Sequence, residues 1–210
     1  MKTYAQNKED LFVLSLFPEG FKGNFLELGA GDGIHFSNCK LLIENGWNGL
    51  SIDLDNHGNK RVKELKISIE NISKITKQII HNTKPYYGID FLSIDIDGND
   101  YWILQEIFKQ VYPKCICLEV NSQLPKDKSM VINYDSERIW DGSFAYGMSY
   151  KAAFDLLNYH GYQVIRNCNN TNLIAVKNLV ELKDCQQTWS HPENMPENSY
   201  WQEIITLNKK

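Results

Sequence analysis

Apolar residues fall in short clusters along this chain, and the spacing within each cluster decides which element it predicts. Alternation, or an unbroken apolar run of about four to eight residues, predicts a strand, whereas apolar positions three and four apart predict a helix. Residues 10–17 carry Leu11, Phe12, Leu14, Leu16 and Phe17, a short helix that Pro18-Glu19-Gly20 stops. Phe25-Leu26-Glu27-Leu28 reads as the first strand, and the alternating glycines Gly29, Gly31 and Gly33 follow it. A helix is expected over residues 36–44, with Asn45-Gly46 closing it. Residues 49–54 predict the second strand, 60–65 a helix, and 66–68 a weak third strand. Ile72, Ile75, Ile79 and Ile80 repeat at helical spacing over residues 69–81, with Ser68 placed as N-cap.

Residues 90–97 read as the next strand, then Gly98-Asn99-Asp100 turns into a helix over 101–108, and 114–120 form a fifth strand. From 121 to 147 the periodicity lapses into a polar and aromatic loop, longer than the roughly 12–15 residues at which loops are usually functional or disordered. A helix over 149–159, closed by Gly161, leads to a hairpin-like pair at 162–165 and 173–176. This β–α alternation predicts an α/β fold, a parallel sheet with helices on both faces. The chain reads as one domain, 1–210, with an N-terminal helical segment (1–22), a loop suited to substrate (121–147) and a polar C-terminal extension (178–210).

Composition narrows the class. Apolar residues make up 42% and charged residues 23%, ordinary for a soluble domain, and no apolar window approaches the roughly 18 residues of a membrane span. The polar first ten residues predict no signal peptide. A net charge of −4 without a basic run argues against nucleic acid as partner. The five cysteines (39, 115, 117, 168, 185) are odd in number and scattered, which predicts buried free thiols in a reducing cytoplasm and neither zinc nor disulfides.

The candidate chemistry gathers at strand ends. A strand, a glycine turn and a helix start offer bare backbone to a ligand. The spacing is G-x-G-x-G, not the G-x-G-x-x-G that seats a dinucleotide pyrophosphate, and Glu27 and Asp32 flank it. Carboxylates there suit a ligand with a cationic amino-acid part, S-adenosylmethionine, with Glu27 and Asp32 near that part. Asp53 lies 24 residues beyond Gly29, near the roughly 20-residue spacing of a ribose-gripping acid. Asp95 and Asp97 alternate in an extended segment and so face one side. If the strand bearing Glu119 is adjacent, at about 4.8 Å, then Asp95, Asp97, Glu119 and Asn121 converge. Such an all-oxygen set suits Mg²⁺, Ca²⁺ or Mn²⁺, not zinc. A divalent ion lowers the pKa of a bound O–H, and a nearby base completes proton removal, for which Asp97 and His35 are the candidates. Asp100 is expected to cap the helix that follows.

Taken in order, several segments resemble the FkbM-type branch of the class I S-adenosylmethionine-dependent methyltransferases. They are Tyr4-Ala5-Gln6 with Glu9-Asp10, the turn from Gly29 to Asn38, Asn45-Gly46-Trp47-Asn48-Gly49, and Phe91 to Asp100. Leu118-Glu119-Val120-Asn121-Ser122, Tyr134-Asp135, Trp140-Asp141-Gly142 and Gly161-Tyr162 follow. The resemblance implies a Rossmann-like three-layer αβα fold whose seven-stranded sheet has its last strand antiparallel. It implies methyl transfer to a hydroxyl, often of a sugar or a glycosylated small molecule. Gly29, Gly31, Asp32, Gly33, Ser37 and Asn38 would then floor the cofactor site, with Asp53 and Asp95 beside it. Related sugar O-methyltransferases hold a divalent metal at positions matching Asp95 and Glu119, and Asn121 stands here where they have a second acid. Tyr134, Asp135, Arg138, Trp140, Asp141 and Tyr146 would meet the acceptor, and the 178–210 extension could join subunits. A nicotinamide oxidoreductase on a similar sheet, a methyltransferase acting on a non-carbohydrate small molecule, and a non-catalytic binding module are the competing readings.

Overall fold

The computed structural model describes residues 2–82, 88–177 and 204–206. The elements in chain order are α1 (Glu9–Ser15), β1 (Asn24–Leu28), α2 (Lys40–Glu44), β2 (Asn48–Asp53), β3 (Val62–Glu64), α3 (Ile69–Asn82) and β4 (Phe91–Ile94). Then come α4 (Asp100–Phe108), β5 (Cys115–Glu119), β6 (Met130–Ile132), α5 (Tyr150–Tyr159), β7 (Gln163–Cys168), β8 (Asn172–Val176) and β9 (Ile204–Thr206). Seven strands form one sheet in the order β3-β2-β1-β4-β5-β8-β7. Pairing is parallel from β3 across to β5, and β8 runs antiparallel to both its neighbours. The order turns back at β1, which has β2 on one side and β4 on the other, so the crevice for a ligand opens at their carboxyl ends.

Alternation along the central strands separates two cores. Leu26, Leu28, Ile52, Leu92, Ile94, Ile116 and Leu118 face α3, α4 and α5. Phe25, Phe91, Cys115 and Cys117 face Val13 of α1, Leu42 of α2 and Trp47. Ile72, Ile75 and Ile79 on α3 and Ile103, Leu104 and Ile107 on α4 are buried. Each contributes about 1.5–3 kcal/mol, so this face dominates. The five-residue α2 is too short to be stable alone and depends on its packing. Ser149 caps α5 by accepting from the Ala152 N–H. Asn169 and Asn170, both at positive φ, lie in the three-residue loop that turns β7 into β8, closed by Thr171 N–H donating to the Cys168 carbonyl at 3.0 Å.

Several expectations require correction. Residues 60–65 form no helix: Val62–Glu64 is an edge strand paired with β2, and only Val62 of the three is buried. The helix expected over 36–44 begins at Lys40, because Phe36 takes a positive φ and Ser37 and Cys39 spend polar groups on Glu27. The strand expected to run to residue 97 ends at Ile94, and Asp97 adopts φ 52. The 121–147 loop holds β6, which pairs with β9 and bridges through Val131 to Met148. The subunit contact expected of the 178–210 extension lies outside the described residues, β9 excepted.

Gly29 controls how the sheet ends. At φ 82, a Cβ there would lie 1.5 Å from the backbone oxygen of Asp95, a clash with main chain that no side-chain motion relieves. Gly31 also has positive φ, yet a Cβ there would meet nothing within 4 Å. Gly31→Ala should therefore cost about 1–2 kcal/mol, the left-handed backbone penalty alone. Gly29→Ala should cost clearly more and shift the urea midpoint further at unchanged slope. Equal losses for the two variants would contradict this account.

Candidate active site

The glycine turn is built from backbone. The Gly29 and Ala30 N–H groups both donate to the Ile52 carbonyl at 2.9 and 3.1 Å, and Asp95 N–H donates to the Leu28 carbonyl at 2.9 Å. The turn after β1 is thus tied to β2 on one side and β4 on the other. Asp53, at the end of β2, accepts from the Gly31 N–H at 2.7 Å through Oδ2 and from the Asp55 N–H through Oδ1. It keeps lone pairs for a ligand over the turn.

Two residues expected beside the cofactor serve the turn itself. Glu27 is 2% exposed. Ser37 Oγ and Cys39 N–H donate to its Oε1, and Ser51 Oγ donates to its Oε2 at 2.7 Å. Burial raises its pKa. It is an internal clasp between β1, β2 and the loop before α2. Ser37 is committed to that clasp, and Asn38 donates inward to Ser93 Oγ at 3.0 Å. Asp32 accepts from the Ile34 and His35 N–H groups, and His35 Nδ1 lies 2.5 Å from its Oδ2. These bonds, His35's first, hold Asp32 down at about 2. His35 has 81% of its side chain exposed and partners Asp32, so its contacts do not place it as a base for the acid cluster.

That cluster is the centre of the site. β4 and β5 are adjacent, with Ile94 opposite Leu118, so Asp95 and Glu119 leave the sheet side by side. Asp95, Asp97 and Glu119 each bring a carboxylate oxygen within 4.8 Å of the others. Asp97 reaches the group from a left-handed turn, not from an extended strand. Asp100 holds that turn: its Oδ1 accepts from Ile96 N–H and its Oδ2 from Gly98 N–H, both at 2.9 Å. Asp100 therefore fastens the loop behind it instead of capping α4 ahead of it. Burial, then the charges of Asp100 and Asp97, pushes Asp95 well above the usual carboxylate range. Burial and Asp95 do the same to Glu119, and the two carboxyls are close enough to share a proton. Burial, Asp100 and Asp53 raise Asp97 to about 6. Glu119 Oε2 is buried without a hydrogen-bond partner.

Asn121 turns its polar atoms to the loop. It is 1% exposed, donates to the carbonyls of Phe144 and Tyr146 at 2.8 and 3.0 Å, and accepts from Gln123 N–H. It clamps the 121–147 loop over the acids. Gly147 shows how close the loop comes, since a Cβ there would sit 3.9 Å from Glu119 Oε2 and 4.0 Å from Asp100 Oδ2. Tyr146 lies against the cluster: burial, then Glu119 and Asp97, raises its phenol. Arg138 packs across Gly98, its Cδ 3.0 Å from where a Cβ would be. Trp140 meets Tyr146 edge-on with ring centroids 6.0 Å apart. Asp135 instead clasps Asn99 through its backbone, and Asp141 accepts from Ser143 N–H. Tyr134 reaches away to α3, donating to Glu70 and accepting from Ile69 N–H. The Asn99–Asp135 clasp and the Asp100 staple were missed in the sequence; the turn-forming Gly98-Asn99-Asp100 was their one signal.

No family model matches the chain, and no curated protein matches its sequence. Solved structures are similar at low identity. An S-adenosylmethionine-dependent methyltransferase from Mesorhizobium loti aligns over 79% of this chain and 96% of its own, at 10% identity and a TM-score of 0.43. An O-methyltransferase from Bacillus cereus, solved with SAH, aligns over 83% of each chain at 14% identity and 0.46. The methyltransferase MycE of the mycinamycin pathway, solved with Mg, SAH and mycinamycin VI, aligns over 74% of this chain and 45% of its own, at 15% and 0.44. At such identities the strand order defines the fold. It is a Rossmann-like, three-layer sheet of the class I methyltransferase kind, seven-stranded, with β8 antiparallel.

The acids set a pH dependence for the cation-free protein. Asp97 ionises at about 6 when folded against an ordinary 3.8, so the folded chain binds more protons between those values. Its contribution is fully present below about pH 4 and is lost as pH rises through about 6. Asp95, Glu119, Asp100 and Glu27 shift in the same direction. Asp32, depressed to about 2, acts oppositely and only below 3.8. Urea midpoints in chelator should fall from about pH 4 to 7, and Asp97→Asn should flatten the fall. Midpoints that rise across this range would refute the assignment.

Proposed function

We propose that this chain is an S-adenosylmethionine-dependent O-methyltransferase of the FkbM type, acting on a hydroxyl of a sugar in a glycoside or glycoconjugate, with divalent-metal assistance. The observation that carries the reading is the convergence of Asp95, Asp97 and Glu119 at the ends of β4 and β5, beside the glycine turn and Asp53, under an aromatic loop. The residues suit both groups. The open space above Gly31, the bare turn and Asp53 suit the donor's ribose and amino-acid part. Three clustered carboxylates, one with a buried unpartnered oxygen, suit an oxygen-loving divalent ion such as Mg²⁺ or Mn²⁺. Bound there, the donor would supply an electrophilic methyl group and the ion a lowered O–H pKa.

The chain's own residues supply the rest. Asp97 belongs to the acid cluster and also feels the charge of Asp53. Its carboxylate is suited to take the acceptor's hydroxyl proton. Tyr146 and Trp140 orient the acceptor, and orientation supplies much of the rate in an in-line transfer. Among the described residues no helix is long and apolar enough to cross a membrane, and the buried free thiols Cys39, Cys115, Cys117 and Cys168 suit the cytoplasm. A nicotinamide oxidoreductase fits less well, since its sheet order is 3-2-1-4-5-6 without an inserted antiparallel strand.

Calorimetric titration should detect saturable S-adenosylhomocysteine binding, weakened at least about tenfold, or about 1.4 kcal/mol, by Asp53→Ala. Absence of binding to the unaltered protein would end the proposal. Separately, Mg²⁺ or Mn²⁺ should raise Tm in the unaltered protein and not in Asp95→Asn or Glu119→Gln, and a chelator should abolish methyl transfer. Full turnover in excess chelator would remove the metal and leave the methyltransferase.

A further inference from the structure

Two oxygens at the carboxyl edge of the sheet are buried without a donor: Glu119 Oε2 and Asn172 Oδ1. Asn172 opens β8, is 2% exposed, and has Glu119 as its Cα partner in the ladder. Side chains of residues paired across a ladder lie on one face of the sheet. Val120 N–H donates to the Thr171 carbonyl at 2.8 Å. Residues 120 and 171 are therefore a hydrogen-bonded pair, and 119 and 172 are the non-hydrogen-bonded pair beside it. In such pairs the Cα atoms stand about 4.5 Å apart and the side chains come closer. The strand order puts Asp95, after β4, on one side of Glu119 and Asn172 on the other.

Glu9 decides which way the amide turns. It starts α1 and is fully buried. Asn172 Nδ2 donates to Glu9 Oε1 at 3.1 Å, and Asn7 holds the same carboxylate through its Nδ2 on Oε1 and its N–H on Oε2 at 2.7 Å. The opposite amide orientation would press an oxygen against that carboxylate. With Nδ2 spent on Glu9, Oδ1 is left on the face it shares with Glu119. Two buried acceptors side by side lack the donor or cation that buried polar atoms ordinarily find. Amide oxygens join carboxylates as ligands of oxygen-loving divalent ions. An amide here also adds a ligand without adding charge to three acids that already repel.

Resting on the divalent-metal reading, we propose that Asn172 Oδ1 is the fourth protein oxygen of the cation site, joining Asp95, Asp97 and Glu119, and that Glu9 is the positioning residue that keeps it turned there. The ligand set then draws on the ends of β4, β5 and β8, and α1 takes part in the site through one hydrogen bond. The amide that Asn121 spends on the loop is supplied instead by the antiparallel strand.

Mn²⁺ titrated into the full chain, with the free ion followed by its electron spin resonance, measures the affinity without turnover. Glu9→Ala should weaken Mn²⁺ by about tenfold or more, the loss typical of a group that orients a ligand, and Asn172→Ala by at least as much. Asn172→Asp, which keeps an oxygen in place, should bind more tightly than Asn172→Ala, and Glu9→Gln, which still offers Nδ2 an acceptor, should lose less than Glu9→Ala. Diffraction at the manganese edge from soaked crystals of the unaltered protein should find the ion on Asn172 Oδ1 together with Asp95 and Glu119. An ion held by the acids with the amide turned away overturns the proposal and leaves the metal in place. So does an affinity indifferent to Asn172→Ala but lost in Asp95→Asn. Equal losses in Glu9→Gln and Glu9→Ala would mean that Glu9 acts by charge, and its positioning role falls. No Mn²⁺ bound by the unaltered protein would overturn the metal reading itself.

Discussion

Gly29 and the carbonyl of Asp95 share space that only a missing side chain leaves open. A backbone contact this close cannot be relieved by rotating anything, so the turn after β1 and the end of β4 move as one body. The Gly31 N–H carries the constraint on to Asp53 at the end of β2, and the β4–β5 register carries it to Glu119. The half of the site suited to a donor and the half that holds the acids are therefore not two pieces brought together on binding. They are rigid with respect to each other because one glycine has no Cβ.

Rigidity matters because the acids repel. A carboxylate in this chain goes one of two ways. Asp32, near the surface, spends its oxygens on two backbone N–H groups and on His35, and its pKa drops to about 2. Asp100 also accepts two backbone N–H groups, yet it is fully buried and its pKa rises. The hydrogen bonds are alike; desolvation decides the sign. Asp95 and Glu119 have burial and mutual repulsion with fewer compensating donors, which is the arrangement that a cation or a shared proton relieves. Left alone it destabilises the fold, so the cluster reads as a functional expense, not a stabilising network.

The fold was largely legible because long apolar periodicities survive any detail of the loops. The repeating isoleucines of α3 and the runs of β1, β4 and β5 fall where their spacing puts them. What failed was short or contextual. Val62-Lys63-Glu64 offers one buried residue, too few to tell period two from 3.6. β6 exists because β9, more than seventy residues away in the chain, pairs with it. At the site, residue type and strand position identified the acids without identifying their work. Glu27 was expected at the cofactor because it stands beside the glycine turn, a position that says nothing about Ser37, Cys39 and Ser51 arriving to bond it. Asp97 was expected beside Asp95 by strand geometry and reaches the cluster through a left-handed turn held by Asp100. Asn121 had the right chemistry for a metal and the wrong partners, since both of its polar atoms serve the loop.

That loop divides its labour along its length, which explains why its composition was informative only in part. Its base is fastened to three elements: Tyr134 to the start of α3, the Asp135 backbone to Asn99 before α4, and Asn121 to the carbonyls of residues 144 and 146. Trp102 on α4 adds a bond to the Ile132 carbonyl of β6. Residues that looked like substrate groups, Tyr134 and Asp135 among them, are spent on this anchoring. Between the anchors, Trp140 Nε1 donates to the Ser143 carbonyl and Ser143 N–H to Asp141, bonds that close the tip on itself. Segments held at the base and free at the tip are where specificity can vary cheaply over a fixed chemical centre. The acids at the ends of β4 and β5 are set by the sheet register, whereas the tip above them rests on two bonds within residues 140–143 and on Asn121.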